Sequence, residues 1–213
     1  MSTQVPVYLL AGGRWHNFEI ILSGVFNQSG MRAPRVAYIG AANGEHKDFF
    51  KQTRETLLSA GAAQVRHVRI GSPGWQALCR ESDAVFMSGG DVHEGMAALR
   101  RAEALPLLRG LHRAGRIFIG VSAGSIILAR QWLIWPDEHD EENVRVFSCL
   151  GIADILCDTH DEPEWTELKT LLAHMPAKTG GFGLRSGSAV AVYGKEVKVI
   201  AGKVDTIAVE SRE

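Results

Sequence analysis

Short apolar runs recur along the first two thirds of this 213-residue chain, each ending in a turn or loop before a helical stretch begins. Val5–Leu10 ends at Ala11-Gly12-Gly13, Arg35–Ile39 at Gly40-Ala41-Ala42-Asn43-Gly44, and Ala84–Met87 at Ser88-Gly89-Gly90-Asp91. A further run, Val65–Ile70, lies between them, and residues 116–121 run into Ser122. The intervening stretches His16–Asn27, Glu45–Ala60, Trp75–Glu81, Val92–Ala102 and Leu105–Ala114 read as helices, the second stopped at Gly61. Runs that are apolar throughout belong to strands buried on both faces. Repeated strand–helix units therefore predict an α/β fold, a doubly wound and mostly parallel sheet with helices on both sides.

After Ala129 the pattern changes. Trp132–Glu142 is aromatic and then acidic, as expected of a surface excursion. A short strand at Ile155–Asp158 leads to His160, and Glu164–His174 has helical spacing. Ala189–Tyr193, Val197–Ile200 and Thr206–Val209 are separated by Gly194-Lys195 and Gly202-Lys203, which predicts a C-terminal antiparallel ribbon. No repeat or linker interrupts the chain, so residues 1–213 are expected to form one domain.

Composition narrows the function classes. Apolar residues make up 46% and charged residues 22%, values of an ordinary globular protein, and the formal net charge is −1. That balance gives no electrostatic case for nucleic acid or for an anionic membrane. The first residues lack a basic start and a small-residue cleavage site, so no signal peptide is expected. No apolar run approaches the roughly 20 residues that span a bilayer. Cys79, Cys149 and Cys157 show no paired spacing and are expected to be reduced, buried thiols of a cytoplasmic protein.

The chemistry concentrates at Gly120-Val121-Ser122-Ala123-Gly124, which follows a strand and precedes the apolar stretch Ile126–Ala129. Strand, Gly-x-Ser-x-Gly, then helix is the nucleophile-elbow pattern, in which a sharp turn lifts the serine hydroxyl above the sheet edge. Open parallel sheets place ligands beyond the carboxyl ends of their strands, and the loops at Gly40–Gly44, Ser88–Asp91, Ser122 and His160 all fall there. Ser122 is the candidate nucleophile. The N–H of Ala123 and one from the Ser88–Gly90 turn are the candidate oxyanion donors. His160, at a strand end, is the candidate base. Four carboxylates compete to orient it, Asp137, Asp140, Asp158 and Asp161. Gly90, Asp91 and Asp161 are expected to meet the substrate. No cofactor and no metal are called for.

These residues resemble peptidase family S51, which includes dipeptidase E and cyanophycinase. The family's serine sits in Gly-x-Ser-Ala-Gly-(Ala/Ser), matched throughout by Gly120–Ser125. Its Gly-Gly-Gly-(Asn/Asp) turn is similar to Ser88-Gly89-Gly90-Asp91, which by resemblance makes Gly89 the second oxyanion donor. Its histidine ends a strand after a Leu-Gly segment, much as Leu150-Gly151 precedes Asp158-Thr159-His160. The resemblance spans about Val5 to Val209 and implies a class I glutamine amidotransferase-like fold, with serine in place of their cysteine. It also implies an aspartate about fifteen residues after the serine, where Asp137 stands. The chain departs from the family at two places. Ser186 occupies the position of a late glutamate, and Asp161-Glu162-Pro163-Glu164-Trp165 lacks the arginine that reads an N-terminal aspartate in dipeptidase E. An acidic rim there would sooner accept a basic or amino-terminal group.

The resulting expectation is a serine exopeptidase or dipeptidase that cleaves a small peptide or amide. Beyond the substrate, the sequence allows at most a homodimer as partner. An esterase of the α/β-hydrolase kind has too little room, since only 38 positions separate Ser122 from His160. A glutaminase would need a cysteine at the elbow. The alternative from another class is a binding or sensor protein that keeps the elbow with a degenerate triad.

Overall fold

A computed structural model of the chain describes residues 5–12, 17–136, 143–160 and 163–208. Its elements in chain order begin with β1 (Val7–Leu10), α1 (Phe18–Gln28), β2 (Arg35–Ile39), α2 (Lys47–Ser59), β3 (Gln64–His67) and α3 (Trp75–Arg80). There follow β4 (Ala84–Met87), α4 (Val92–Arg101), α5 (Leu105–Arg113), β5 (Ile117–Val121), α6 (Ala123–Leu128) and β6 (Gln131–Ile134). The remainder comprises β7 (Arg145–Ser148), β8 (Cys157–Asp158), α7 (Thr166–Ala173), β9 (Gly180–Leu184), β10 (Ala189–Tyr193), β11 (Glu196–Ala201) and β12 (Val204–Ala208). The main sheet has seven strands in the order β11-β10-β1-β5-β4-β2-β3. From β1 to β3 all neighbours are parallel, and β10 and β11 add an antiparallel edge.

Along β1, β2, β4 and β5 side chains alternate between two cores, which is why these strands are apolar apart from the exposed Arg35. Val7 and Leu9 of β1, Ala37 and Ile39 of β2, Val85 and Met87 of β4, and Phe118 of β5 face one layer. Tyr8 and Leu10, Val36 and Tyr38, Ala84 and Phe86, and Ile117 and Ile119 face the other. Leu22, Val25 and Phe26 of α1 and Leu57 of α2 cover the second layer, while α3, α4, α5, α6 and α7 cover the first. A period of two with apolar residues on both phases is the signature of a sheet sandwiched between helices. This is the expected mixed α/β architecture, with a large, mostly parallel sheet flanked by helices.

The C-terminal third differs from the sequence expectation in three respects. β10 and β11 do form a hairpin, but β12 leaves it and pairs antiparallel with β9. Two bonds hold it there. The Asp205 carboxylate on β12 accepts hydrogen bonds from the Trp165 indole (2.9 Å) and from Arg185 Nε (2.7 Å). Secondly, the stretch after Ala129 does not begin as a surface excursion. β6 pairs with β7, and Trp132 and Leu133 are buried against the core. Thirdly, β9 carries a strand that the glycine-rich segment does not announce, and the short β8 lies parallel to it.

α6 ties the two halves together. Beyond its last turn, Leu128 O accepts hydrogen bonds from the N–H groups of Ile152 (3.1 Å) and Ala153 (3.0 Å), and Ile127 O accepts one from Leu150. Arg130 N donates to Ile155 O at 3.0 Å. The segment that ends at β8 is thus hung from the far end of the helix that starts just after Ser122. No helix of the described residues is long and apolar enough to cross a membrane.

Candidate active site

Four parallel strands end level with one another. Leu10 of β1 is in register with Val121, Met87 of β4 with Gly120, and Ile39 of β2 with Met87. Their following loops therefore open on one edge of the sheet, where a ligand site belongs in this class of fold. The Ser122 N–H continues the ladder by donating to Leu10 O (2.9 Å), and the Ser88 N–H does the same to Ile39 O (3.1 Å).

Ser122 has φ 56° and ψ −126°, a conformation that a side-chain-bearing residue adopts only when its surroundings impose it. Close packing imposes it here. A Cβ on Gly120 would lie 2.6 Å from Gly124 O, and one on Gly124 would lie 2.2 Å from Met87 O. Both flanking positions of the motif therefore exclude any side chain. Ser125, the motif's last residue, is fully buried. Its Oγ donates to Leu10 O (2.8 Å) and accepts from Leu10 N (3.0 Å), stapling α6 to β1. Replacing Ser125 with alanine leaves the buried Leu10 N–H without its acceptor. That change is expected to lower unfolding free energy by about 1–3 kcal/mol in urea denaturation, and an unchanged midpoint would show that the staple carries no stability.

The structure brings Ser122 and His160 together, with Oγ and Nε2 2.5 Å apart. The histidine sits at the end of β8, on a different sheet from Ser122, and 42% of its side chain is exposed, so a ligand can reach it. Asp158 is fully buried behind it. Its Oδ1 accepts from the N–H groups of Thr159 (2.6 Å) and His160 (3.0 Å) and lies 3.9 Å from His160 Nδ1. Burial pushes the imidazole below the ordinary histidine pKa, and the Asp158 charge works against that shift. Among the described residues Asp158 is the carboxylate paired with the ring. Asp137, Asp140 and Asp161 lie outside the described residues.

Gly89 faces Ser122 closely. A Cβ added there would come within 3.1 Å of Ser122 Cβ and 3.4 Å of its Oγ. Asn43, from the loop after β2, steadies this turn by donating to Ser88 Oγ (3.0 Å) and to Tyr38 OH (3.1 Å). Ala123 is buried at the first position of α6. Gly90 packs on Ala42 O, and Asp91 caps α4 by accepting the Glu94 N–H at 2.7 Å. Gly90 and Asp91 line a cavity that His160 also borders.

Sequence reading missed Gly12 as a site residue. A Cβ there would lie 3.0 Å from Ser122 Oγ, and its carbonyl accepts a long 3.4 Å bond from Ser186. The available signal was its place after β1, equivalent to that of Gly89 after β4. Ser186 therefore reaches the rim of the site. Three of the other described histidines have partners of their own away from Ser122. His67 pairs with Glu45 (2.7 Å) and stacks on Phe50, His112 meets Val5 O, and His174 meets Thr170 O. Burial pushes the Cys79 and Cys149 thiols up to about 12, so neither is a nucleophile at neutral pH. Among the described residues no group of three or more His, Cys, Asp or Glu side chains is gathered to hold a metal.

A model of peptidase family S51 matches residues 7–200. The chain belongs to peptidase family S51. Two solved structures share the S51 protein's fold at low sequence identity. A Listeria monocytogenes EGD-e protein described as a peptidase E aligns with TM-score 0.65 and 19% identity, over 93% of this chain and 99% of that one. A peptidase from an acI-B1 Actinobacterium aligns with TM-score 0.74 and 14% identity, over 98% of this chain and 97% of that one. No curated protein matches the sequence significantly. Family S51 membership supports a peptidase-type function for this chain.

Proposed function

We propose that this S51 protein is a serine peptidase that cleaves a small peptide or amide through an acyl-enzyme, as an exopeptidase or dipeptidase. The observation that carries the reading is the 2.5 Å approach of Ser122 Oγ to His160 Nε2 at a strained strand–helix turn. A serine hydroxyl attacks amides only when a base removes its proton, and His160 is positioned to do so. Its lowered pKa keeps the ring in the accepting, neutral form at neutral pH.

In this reading Ser122 Oγ attacks the substrate carbonyl carbon while its proton passes to His160 Nε2. The carbonyl oxygen becomes an oxyanion, received by the backbone N–H groups of Gly89 and Ala123. Collapse breaks the C–N bond, and the His160 proton goes to the leaving amine. Water then attacks the Ser122 ester, giving its proton to His160. The second collapse releases the acid and returns the proton to Ser122. Asp158, buried behind Nδ1, stabilises the transient imidazolium. Every proton and electron pair in the cycle is accounted for by serine, histidine, substrate and water.

A fluorophosphonate probe tests the reading. Ser122 is expected to be labelled in the intact protein, and His160→Ala to suppress the labelling by at least a hundredfold in rate. A folded protein that leaves Ser122 unlabelled would overturn the peptidase reading in favour of a binding protein built on the same elbow.

A further inference from the structure

The turn that carries Gly89 is built on the loop after β2. The Ser88 N–H donates to Ile39 O at 3.1 Å, and the Asp91 N–H donates to Ala42 O at 2.7 Å. A Cβ on Gly90 would lie 1.9 Å from the same Ala42 carbonyl oxygen, so the two loops meet backbone to backbone. Gly89 lies between these anchors. A glycine has two soft backbone angles and no side chain to restrict them, so the direction of its N–H depends on what holds its peptides.

One such hold runs through side chains. Ser88 is buried, and its Oγ donates to Gly89 O at 3.2 Å. Asn43 Nδ2 donates to Ser88 Oγ (3.0 Å) and to Tyr38 OH (3.1 Å), and Asn43 Oδ1 accepts the His46 N–H (3.1 Å). The His46 N–H can only donate, so the amide oxygen faces it and the amide nitrogen faces the two hydroxyls. Those hydroxyls also meet each other. An amide nitrogen accepts nothing, so the buried Tyr38 hydroxyl gives its hydrogen to Ser88, and Ser88 gives its own to Gly89 O. The hydrogen bonds run one way, from Asn43 and Tyr38 through Ser88 to the Gly89 carbonyl.

The start of this chain is itself fixed. The N–H groups of Asn43 and Glu45 both return to Gly40 O at 3.0 Å. Glu45 Oε2 lies 2.7 Å from Nε2 of His67, the last residue of β3. A Cβ on Gly40 would come within 2.9 Å of both Asn43 Oδ1 and Glu45 Oε2, so the two side chains fold over a position that only glycine leaves open.

We propose that Asn43 is a positioning residue for the hydrolysis: by setting which way the Ser88 hydroxyl points, it holds the Gly89 peptide with its N–H ready to receive the oxyanion. This role rests on the peptidase reading for the part played by Gly89. Asn43→Asp tests the direction of the chain. A carboxylate has nearly the same shape but only accepts, so the Ser88 hydroxyl turns towards it and releases Gly89 O. Ser88→Ala removes the link without adding charge beside Glu45, and it keeps the test open should the aspartate unfold the loop.

The readout is the labelling of Ser122 by a fluorophosphonate, resolved into probe binding (KI) and reaction (kinact). Charge builds on the phosphoryl oxygen only during attack, so a misdirected donor acts on kinact. Each variant is expected to lower kinact by about ten- to a hundredfold, less than the loss of a whole oxyanion donor, with KI changed by no more than about threefold. The acid limb of the pH profile, set by His160, stays in place. Combining the two substitutions is expected to cost no more than the larger alone, since both break one chain. A kinact within about threefold of the parent in both single variants overturns the proposal, as do losses that multiply in the double variant. A shifted acid limb, or a rise in KI that accounts for the loss, marks a general disturbance of the site and also overturns it. Failure of the parent to label Ser122 removes the peptidase reading and this role together. Prompt labelling of the parent, matched by both variants, removes the role alone.

Discussion

Ser122→Ala is expected to lower turnover of any hydrolysed amide by on the order of 10⁴-fold or more, with thermal stability unchanged. The size follows from what the hydroxyl does in the cycle. Without Oγ no acyl-enzyme forms, and His160 has only water to deprotonate, so the remaining oxyanion donors act on a much slower direct attack. The fold should be indifferent to the change. The strained φ is imposed by the packing of Gly120 and Gly124, not by the hydroxyl, and the Ser125 staple to Leu10 stays in place. Steady-state kinetics and a melting curve on the same preparation check both halves. Turnover within tenfold of the parent would remove Ser122 from the role of nucleophile.

Asp158→Asn separates a charge effect from a structural one. Asparagine keeps an Oδ1 that can accept the N–H groups of Thr159 and His160, so the end of β8 should hold its shape. What disappears is the negative charge 3.9 Å from His160 Nδ1. Turnover is expected to fall by on the order of 10²–10⁴-fold, because the imidazolium formed during attack loses its counter-charge. The pH profile gives the sign. His160 must be unprotonated to act as base, so kcat/KM falls as pH drops through its pKa, which burial places below the ordinary histidine value. The Asp158 charge raises that pKa, so removing it moves the acid limb of the profile to still lower pH. A mainly structural role would lower activity and leave the limb in place. Full activity in this variant would hand the orienting role to a carboxylate such as Asp137.

Four of the five parallel strands, β1, β2, β4 and β5, were legible in the sequence because they are buried on both faces. They show as largely apolar runs before Gly12, Gly40, Ser88 and Ser122, whereas β3, at the sheet edge, is mixed and buries only Val65. The pairing of Ser122 with His160 was legible for a related reason, since both stand just beyond strand ends on the ligand-binding edge. β9 was not, because Gly180-Gly181-Phe182-Gly183-Leu184 has no strand propensity of its own. Its glycines make sense only beside Leu168 and Trp165, which would collide with a Cβ on Gly181 and Gly183 respectively. β12 could not be assigned to β9 from spacing alone, since the Asp205 bonds to Trp165 and Arg185 are long-range. Trp132 read as surface because its acidic downstream neighbours obscured a side chain that belongs to the core.

The short helix α6 has a consequence for how this protein can vary. Ser122 precedes its first residue, and its last turn hydrogen-bonds the segment that delivers His160. Six residues at about 1.5 Å each make it a spacer of roughly 9 Å between two sheets that share no strand. An insertion or deletion of one residue would rotate the far end by about 100° and carry the imidazole away from the hydroxyl, even with both residues retained. The loops around the site carry no such constraint, whereas the length of this helix sets the Ser122–His160 approach on which the proposed reaction depends.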